Sequence, residues 1–119
     1  MKRLGQLIII LFLWLPMLVS AGDAKFALTW DAPIANIDGT PLTDLQGFRL
    51  YWSQTSGIYN SVDSKNITQA NTEVVLTENI MWYFVVTAYD DLGNESIYSN
   101  EVNLRKAISP SGCKNLNVE

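Results

Sequence analysis

Trp82 to Val102 reads W-Y-F-V-V-T-A-Y-D-D-L-G-N-E-S-I-Y-S-N-E-V, a strand, a polar turn and a returning strand. Trp82, Phe84, Val86 and Ala88 share one face at period two, and Tyr83, Val85, Thr87 and Tyr89 share the other. That alternation is what a strand buried on one side requires. Asp90, Asp91, Gly93 and Asn94 then supply side chains that bond their own backbone and residues that accept positive φ, so the chain reverses there.

Upstream the same pattern recurs with turn signals between its occurrences. Phe26, Leu28 and Trp30 alternate with Lys25, Ala27 and Thr29; Phe48, Leu50 and Trp52 alternate with Gly47, Arg49 and Tyr51. A long connection, Asp31 to Leu45, holds Pro33, Gly39 and Pro41 and exceeds an ordinary hairpin loop, so it is expected to be packed down or functional. Ser53 to Gly57 turns the chain. Tyr59 to Val62 reads as a short edge strand, Glu73 to Leu76 as a strand with Val74 and Leu76 inward, and Tyr98 to Leu104 as the last strand with Val102 and Leu104 inward. No stretch shows helical spacing with caps, so an all-β sandwich is expected. Trp30 and Trp82 are expected in its core.

The first residues read as an address. Lys2 and Arg3 form a basic head, Leu7 to Val19 an apolar run of 13 residues, and Val19-Ser20-Ala21 a cleavage site, so residues 1–21 are expected to be a signal peptide. The run falls short of the ~20 apolar residues of a membrane span, so no stable span is expected after cleavage. Residues 22–119 would then form one domain with a single core, exported to the periplasm or secreted. Without Lys2 and Arg3, six basic residues face twelve acidic ones, a net charge of −6. That balance argues against nucleic acid and against anionic lipid surfaces. Cys113 is the only cysteine, so no intrachain disulfide forms, and an unpaired thiol in an oxidising space points to a disulfide between molecules.

Several segments together resemble the fibronectin type III domain, in the form found in secreted bacterial proteins. L-T-W-D-A-P with Trp30 and Pro33 is similar to the family's second strand and its exit, and G-F-R-L-Y-W from Gly47 to Trp52 to its third. I-D-G-T-P-L-T-D-L before Gly47 is similar to a loop of bacterial members. Leu76, six residues before Trp82, resembles the leucine ahead of the sixth strand, while V-T-A-Y-D-D-L-G-N-E-S and Y-S-N-E-V resemble the sixth strand, its turn and the seventh. The resemblance implies a fibronectin type III-like, immunoglobulin-like sandwich over residues 22–104, followed by a flexible tail, 105–119. It departs from the family in three places. Trp82 stands where a tyrosine commonly bonds back to the backbone, and its indole N–H is a substitute donor. Glu78-Asn79 replaces a common Pro-Gly, and only Gly22 to Lys25 precede the second strand, so the family's first strand is missing. With no R-G-D, integrin-type adhesion has no support.

Catalysis has little to work with. There is no histidine, no G-x-S-x-G elbow, and the cysteine lies in the tail, so no enzymatic activity, cofactor or metal is expected. The oxygen-bearing residues of the long loop and of the turn, Asp31, Asp38, Asp44, Asp90, Asp91, Asn94 and Glu95, lack the spacing of a calcium loop and read as turn formers. What remains is recognition. Arg49, Tyr51, Tyr83 and Tyr89, with Val85 and Thr87, are expected on the outward face of two paired strands, residue types that favour contact with a protein or a glycan. The expected function is therefore an exported, non-catalytic recognition or adhesion module, binding through that face or the loops. The alternative is a structural subunit that self-associates through the sheet edge left open by the missing strand.

Overall fold

The computed structural model describes residues 22–108 and 110–118. The expected signal peptide, residues 1–21, lies outside the described residues. Six strands follow one another: β1 (Asp23–Thr29), β2 (Leu45–Ser53), β3 (Ser64–Ile67), β4 (Asn71–Thr77), β5 (Met81–Asp90) and β6 (Val102–Arg105). They form two antiparallel sheets, β1-β4 and β3-β2-β5-β6, packed as a sandwich with no helix among the described residues. Among those residues no helix is long and apolar enough to cross a membrane.

The period-two pattern decides what fills the sandwich. Phe26, Leu50, Val74, Trp82 and Phe84 form the buried core, with Ala24, Leu28, Trp52, Ile67, Leu76 and Ile80 packed around them. Phe26 and Phe84 meet across the two sheets at 5.5 Å between ring centroids. The Trp82 indole N–H donates to the Thr77 carbonyl at 2.9 Å, so the substitute corner bond is made, tying the end of β4 to the start of β5. Asn79 takes positive φ in the turn between them, a conformation asparagine tolerates better than most residues. Trp30 is only half-buried, set edge-on against Phe48 at 5.4 Å, outside the central cluster where the sequence placed it.

Two strand expectations need correction. The short strand after the Ser53 turn is Ser64–Ile67 and not Tyr59–Val62. Asn60 takes residues 59–62 out of the sheet: its side-chain oxygen accepts from the Val62 and Asp63 amides, a turn that competes with extension. The last strand starts late, at Val102 and not at Tyr98. Between Glu95 and Asn100 the chain follows β5 through serines instead: Ser96 and Ser99 amides donate to Ala88 and Val86 carbonyls, and their hydroxyls accept from the Ala88 and Val86 amides. Continuing the register of β6, where Phe84 faces Val102, would have set residues 98 and 100 there. The slip moves Tyr98 onto the outer face.

β6 carries Val102 and Leu104 opposite Phe84 and Trp82, on the inner face as expected, yet both stay about half exposed. The facing sheet has only two strands and ends at β1, so nothing among the described residues lies over them. Among the described residues after Arg105 there is no strand, although Lys106 is still anchored. Its carbonyl accepts from the Asn79 amide, and its ammonium donates to the Lys25 carbonyl.

Candidate functional site

The outward face of β2 and β5 places Arg49 opposite Thr87, Tyr51 opposite Val85, Ser53 opposite Tyr83 and Gly47 opposite Tyr89. All four residues singled out from the sequence, Arg49, Tyr51, Tyr83 and Tyr89, lie on this face. The face is nevertheless not a bare solvated surface. Tyr51 is 6% exposed, Val85 5% and Thr87 2%, because other side chains close over them.

Glu95 is one part of the cover. Its carboxylate accepts from Arg49 Nη1 at 2.8 Å and from the Tyr51 hydroxyl at 2.5 Å, while Arg49 Nε donates to Asn66 Oδ1 at 2.9 Å. The Arg49 guanidinium also sits 5.8 Å from the centre of the Tyr89 ring, within cation–π range. Charge on this face is therefore met inside the molecule, and a partner would have to break a partly buried ion pair to use it. Burial, reinforced by the bond to Glu95, pushes the Tyr51 hydroxyl above its usual range, so it stays a protonated donor.

Tyr51, Tyr59 and Tyr98 form a second element of the cover, each ring edge-on to the other two at 5.5–6.4 Å. Glu101 fastens it. One carboxylate accepts from Ser56 Oγ, the Gly57 amide and the Tyr59 hydroxyl, pinning the loop after β2 to the segment before β6. Ser56, then Tyr59 and the Gly57 amide, hold the Glu101 carboxyl below its ordinary value. A carboxyl depressed in the folded state contributes stability above its unfolded pKa and loses it as pH falls through the folded one. As pH falls below the ordinary glutamate value of about 4.3 this contribution is progressively lost, and the loop is expected to be released. Protection of the Gly57 amide, taken against its intrinsic exchange rate at each pH, should fall there, and Glu101→Gln should show the lower protection already at neutral pH.

Asn66, Tyr59, Tyr98 and Glu101 were not singled out from the sequence, and Glu95 was read only as a turn former. No spacing rule links a carboxylate to an arginine 46 residues earlier, and strand parity failed for Tyr98 because the serine slip breaks the two-residue period. Cys113 is exposed with a free thiol, as its place in the tail suggested.

The loop end of the sandwich differs from the closed face. The long connection folds into a small hairpin: Ala35 bridges Pro41, the Asn36 amide donates to the Thr40 carbonyl, and Gly39 takes the positive φ of the turn. Asp38 Oδ1 accepts from the Thr40 amide and hydroxyl, and the Thr40 hydroxyl first, then its amide, lowers the Asp38 pKa. In the facing turn Asp90 Oδ1 accepts from the Leu92 and Asn94 amides, and Oδ2 from the Asn94 side chain. Asp38 and Asp90 thus act as turn formers, whereas Glu95, expected to be another, is taken up by Arg49 and Tyr51. The Asp91 amide joins the two loops by donating to the Asp44 carbonyl at 3.1 Å. Between them runs a groove bordered by Pro33, Ile37, Leu42, Tyr89 and Glu95. At this end Ile34, Ile37, Leu92 and Ile97 are 83–101% exposed on backbone that is hydrogen-bonded in place.

Comparison with protein-family models and with curated proteins finds no match to this chain.

Proposed function

We propose that this protein is an exported, non-catalytic recognition module of the fibronectin type III kind. Its binding surface in this reading is the loop end and not the β2–β5 face. The observation that carries it is the placement of Ile34, Ile37, Leu92 and Ile97 in solvent on two braced loops. Clustered exposed apolar side chains are costly to a lone soluble domain and mark contact surfaces, and loops held by a rigid sandwich are where such surfaces are carried. Aliphatic side chains around a groove favour a protein with an apolar patch over a glycan, whose hydroxyls need polar partners. The internal pairing of Arg49, Tyr51 and Glu95 supports moving the site away from the sheet face. The absence of histidine and the use of Asp38 and Asp90 in their own turns support binding over catalysis.

The test compares two loop variants with one sheet-face variant in capture from the exported fraction. Ile37→Asp and Leu92→Asp are expected to reduce recovery of the partner at least tenfold, about 1.4 kcal/mol or more, with the melting midpoint unchanged because both side chains lie in water. Tyr83→Ala should recover it as wild type does. Loss with Tyr83→Ala and retention with the two loop variants would return the site to the sheet face.

A further inference from the structure

The open side of the smaller sheet carries an inference independent of the loop end. The Glu78 amide donates to the Gly22 carbonyl and the Trp30 amide to the Ala70 carbonyl, so even-numbered residues of this stretch bond to β4. Antiparallel pairing alternates, which turns the N–H and C=O groups of Lys25, Ala27 and Thr29 toward the free edge. No strand among the described residues pairs there. Beside the same edge runs a groove bordered by Leu28, Leu50, Phe84 and Val102, and Val102 and Leu104 stand half exposed along the facing sheet. Backbone partners and apolar side chains are thus wanting at one place. An extended segment with an apolar residue at every second position supplies both.

Lys106 guards one end only: its ammonium occupies the Lys25 carbonyl and lies 5.4 Å from the Phe26 ring centre, leaving Ala27 and Thr29 open. β1 of a second molecule would bring no side chains for the groove, since its Phe26 is buried in its own core. Lys114 to Val118, K-N-L-N-V, does alternate, and Leu116 and Val118 are 95% and 100% exposed. In this structure its own domain does not receive it, since both side chains stay in solvent and no strand among the described residues pairs with the β1 edge.

We infer that the β1 edge of one molecule takes up Lys114–Val118 of a second as an added strand, Asn115 leaving its positive φ to extend, with Leu116 and Val118 seated in the groove beside Leu28 and Val102. Each molecule then offers one donor and one acceptor, a contact that closes as a reciprocal ring of two or more molecules or runs on as a filament.

Sedimentation of the chain from Gly22 onward, with reductant present to keep Cys113 from crosslinking, tests this. Wild type is expected to form species that grow with concentration. The double variant Leu116→Asp with Val118→Asp should associate at least tenfold more weakly at an unchanged melting midpoint, since both positions lie outside the sandwich. Ala27→Pro removes only an edge-facing N–H and should disable the acceptor. Mixing the double variant, with its acceptor intact, and Ala27→Pro, with its donor intact, should give heterodimers and nothing larger. Monomers at every concentration, or assembly undiminished in the double variant, would overturn the inference. So would a monomeric wild type whose melting midpoint falls in the double variant, which would mean that the tail covers its own edge.

Discussion

Trp82→Ala is expected to leave little folded protein. The side chain is 8% exposed and sits in the central cluster with Phe26, Leu50, Val74 and Phe84. Truncating a buried aromatic costs about 3–5 kcal/mol against the ~5–15 kcal/mol that holds a typical domain together. The loss here has a second part, because the Thr77 carbonyl gives up its indole donor as well. Trp82→Phe separates the two. It keeps most of the ring and drops the N–H, so it should cost up to about 1–3 kcal/mol, the range for an acceptor left unpaired when buried, the Thr77 carbonyl being partly so. Denaturant midpoints for the three proteins check both statements. If Trp82→Ala unfolds at nearly the wild-type midpoint, the cluster does not depend on the indole. If Trp82→Phe matches wild type, the corner bond adds nothing.

Gly47→Ala should be strongly destabilising for a single added methyl. A Cβ at this position would lie 2.8 Å from the Tyr89 hydroxyl and 2.9 Å from the Ile67 carbonyl oxygen. The first contact is with the tip of a movable side chain, but the second is with the backbone of β3, which must shift to make room. Overpacking of this kind costs typically about 1–3 kcal/mol. In a domain of this size each kcal/mol lowers the melting midpoint by roughly 4–8 °C. Adding Tyr89→Ala removes the first clash and leaves the second, so the double variant should not regain wild-type stability. Full recovery in that double variant would place the strain at the tyrosine alone.

Where side chains obey a strict two-residue period, the sequence was a good guide to the fold. Trp82, Phe84, Phe26, Leu50 and Val74 face inward as their parity requires, and the Asp90 turn closes through the side-chain bonds its composition implied. Parity was a weaker guide to what lies above a strand. Tyr51 and Thr87 point outward and are still buried, because Glu95, Tyr59 and Tyr98 arrive from distant segments that carry no local signature of the visit. The first-sheet edge was legible from the short lead before Phe26. The half exposure of Val102 and Leu104 was not, since it depends on how many strands the opposite sheet contributes. The exposed isoleucines lie in segments with no period at all, where burial cannot be read from spacing.

Ser96 and Ser99 have a consequence for how this sandwich tolerates change. Their hydroxyls take the place of main-chain carbonyls as acceptors for the Ala88 and Val86 amides, so β5 keeps its bonds while its neighbour drifts out of step. An attachment made at two side-chain points does not prescribe how many residues lie between them or before them. Insertions and deletions around Leu92 or Ile97 can therefore be absorbed without unzipping the strand beneath, and the loop end is free to diverge in length while the sheets stay fixed.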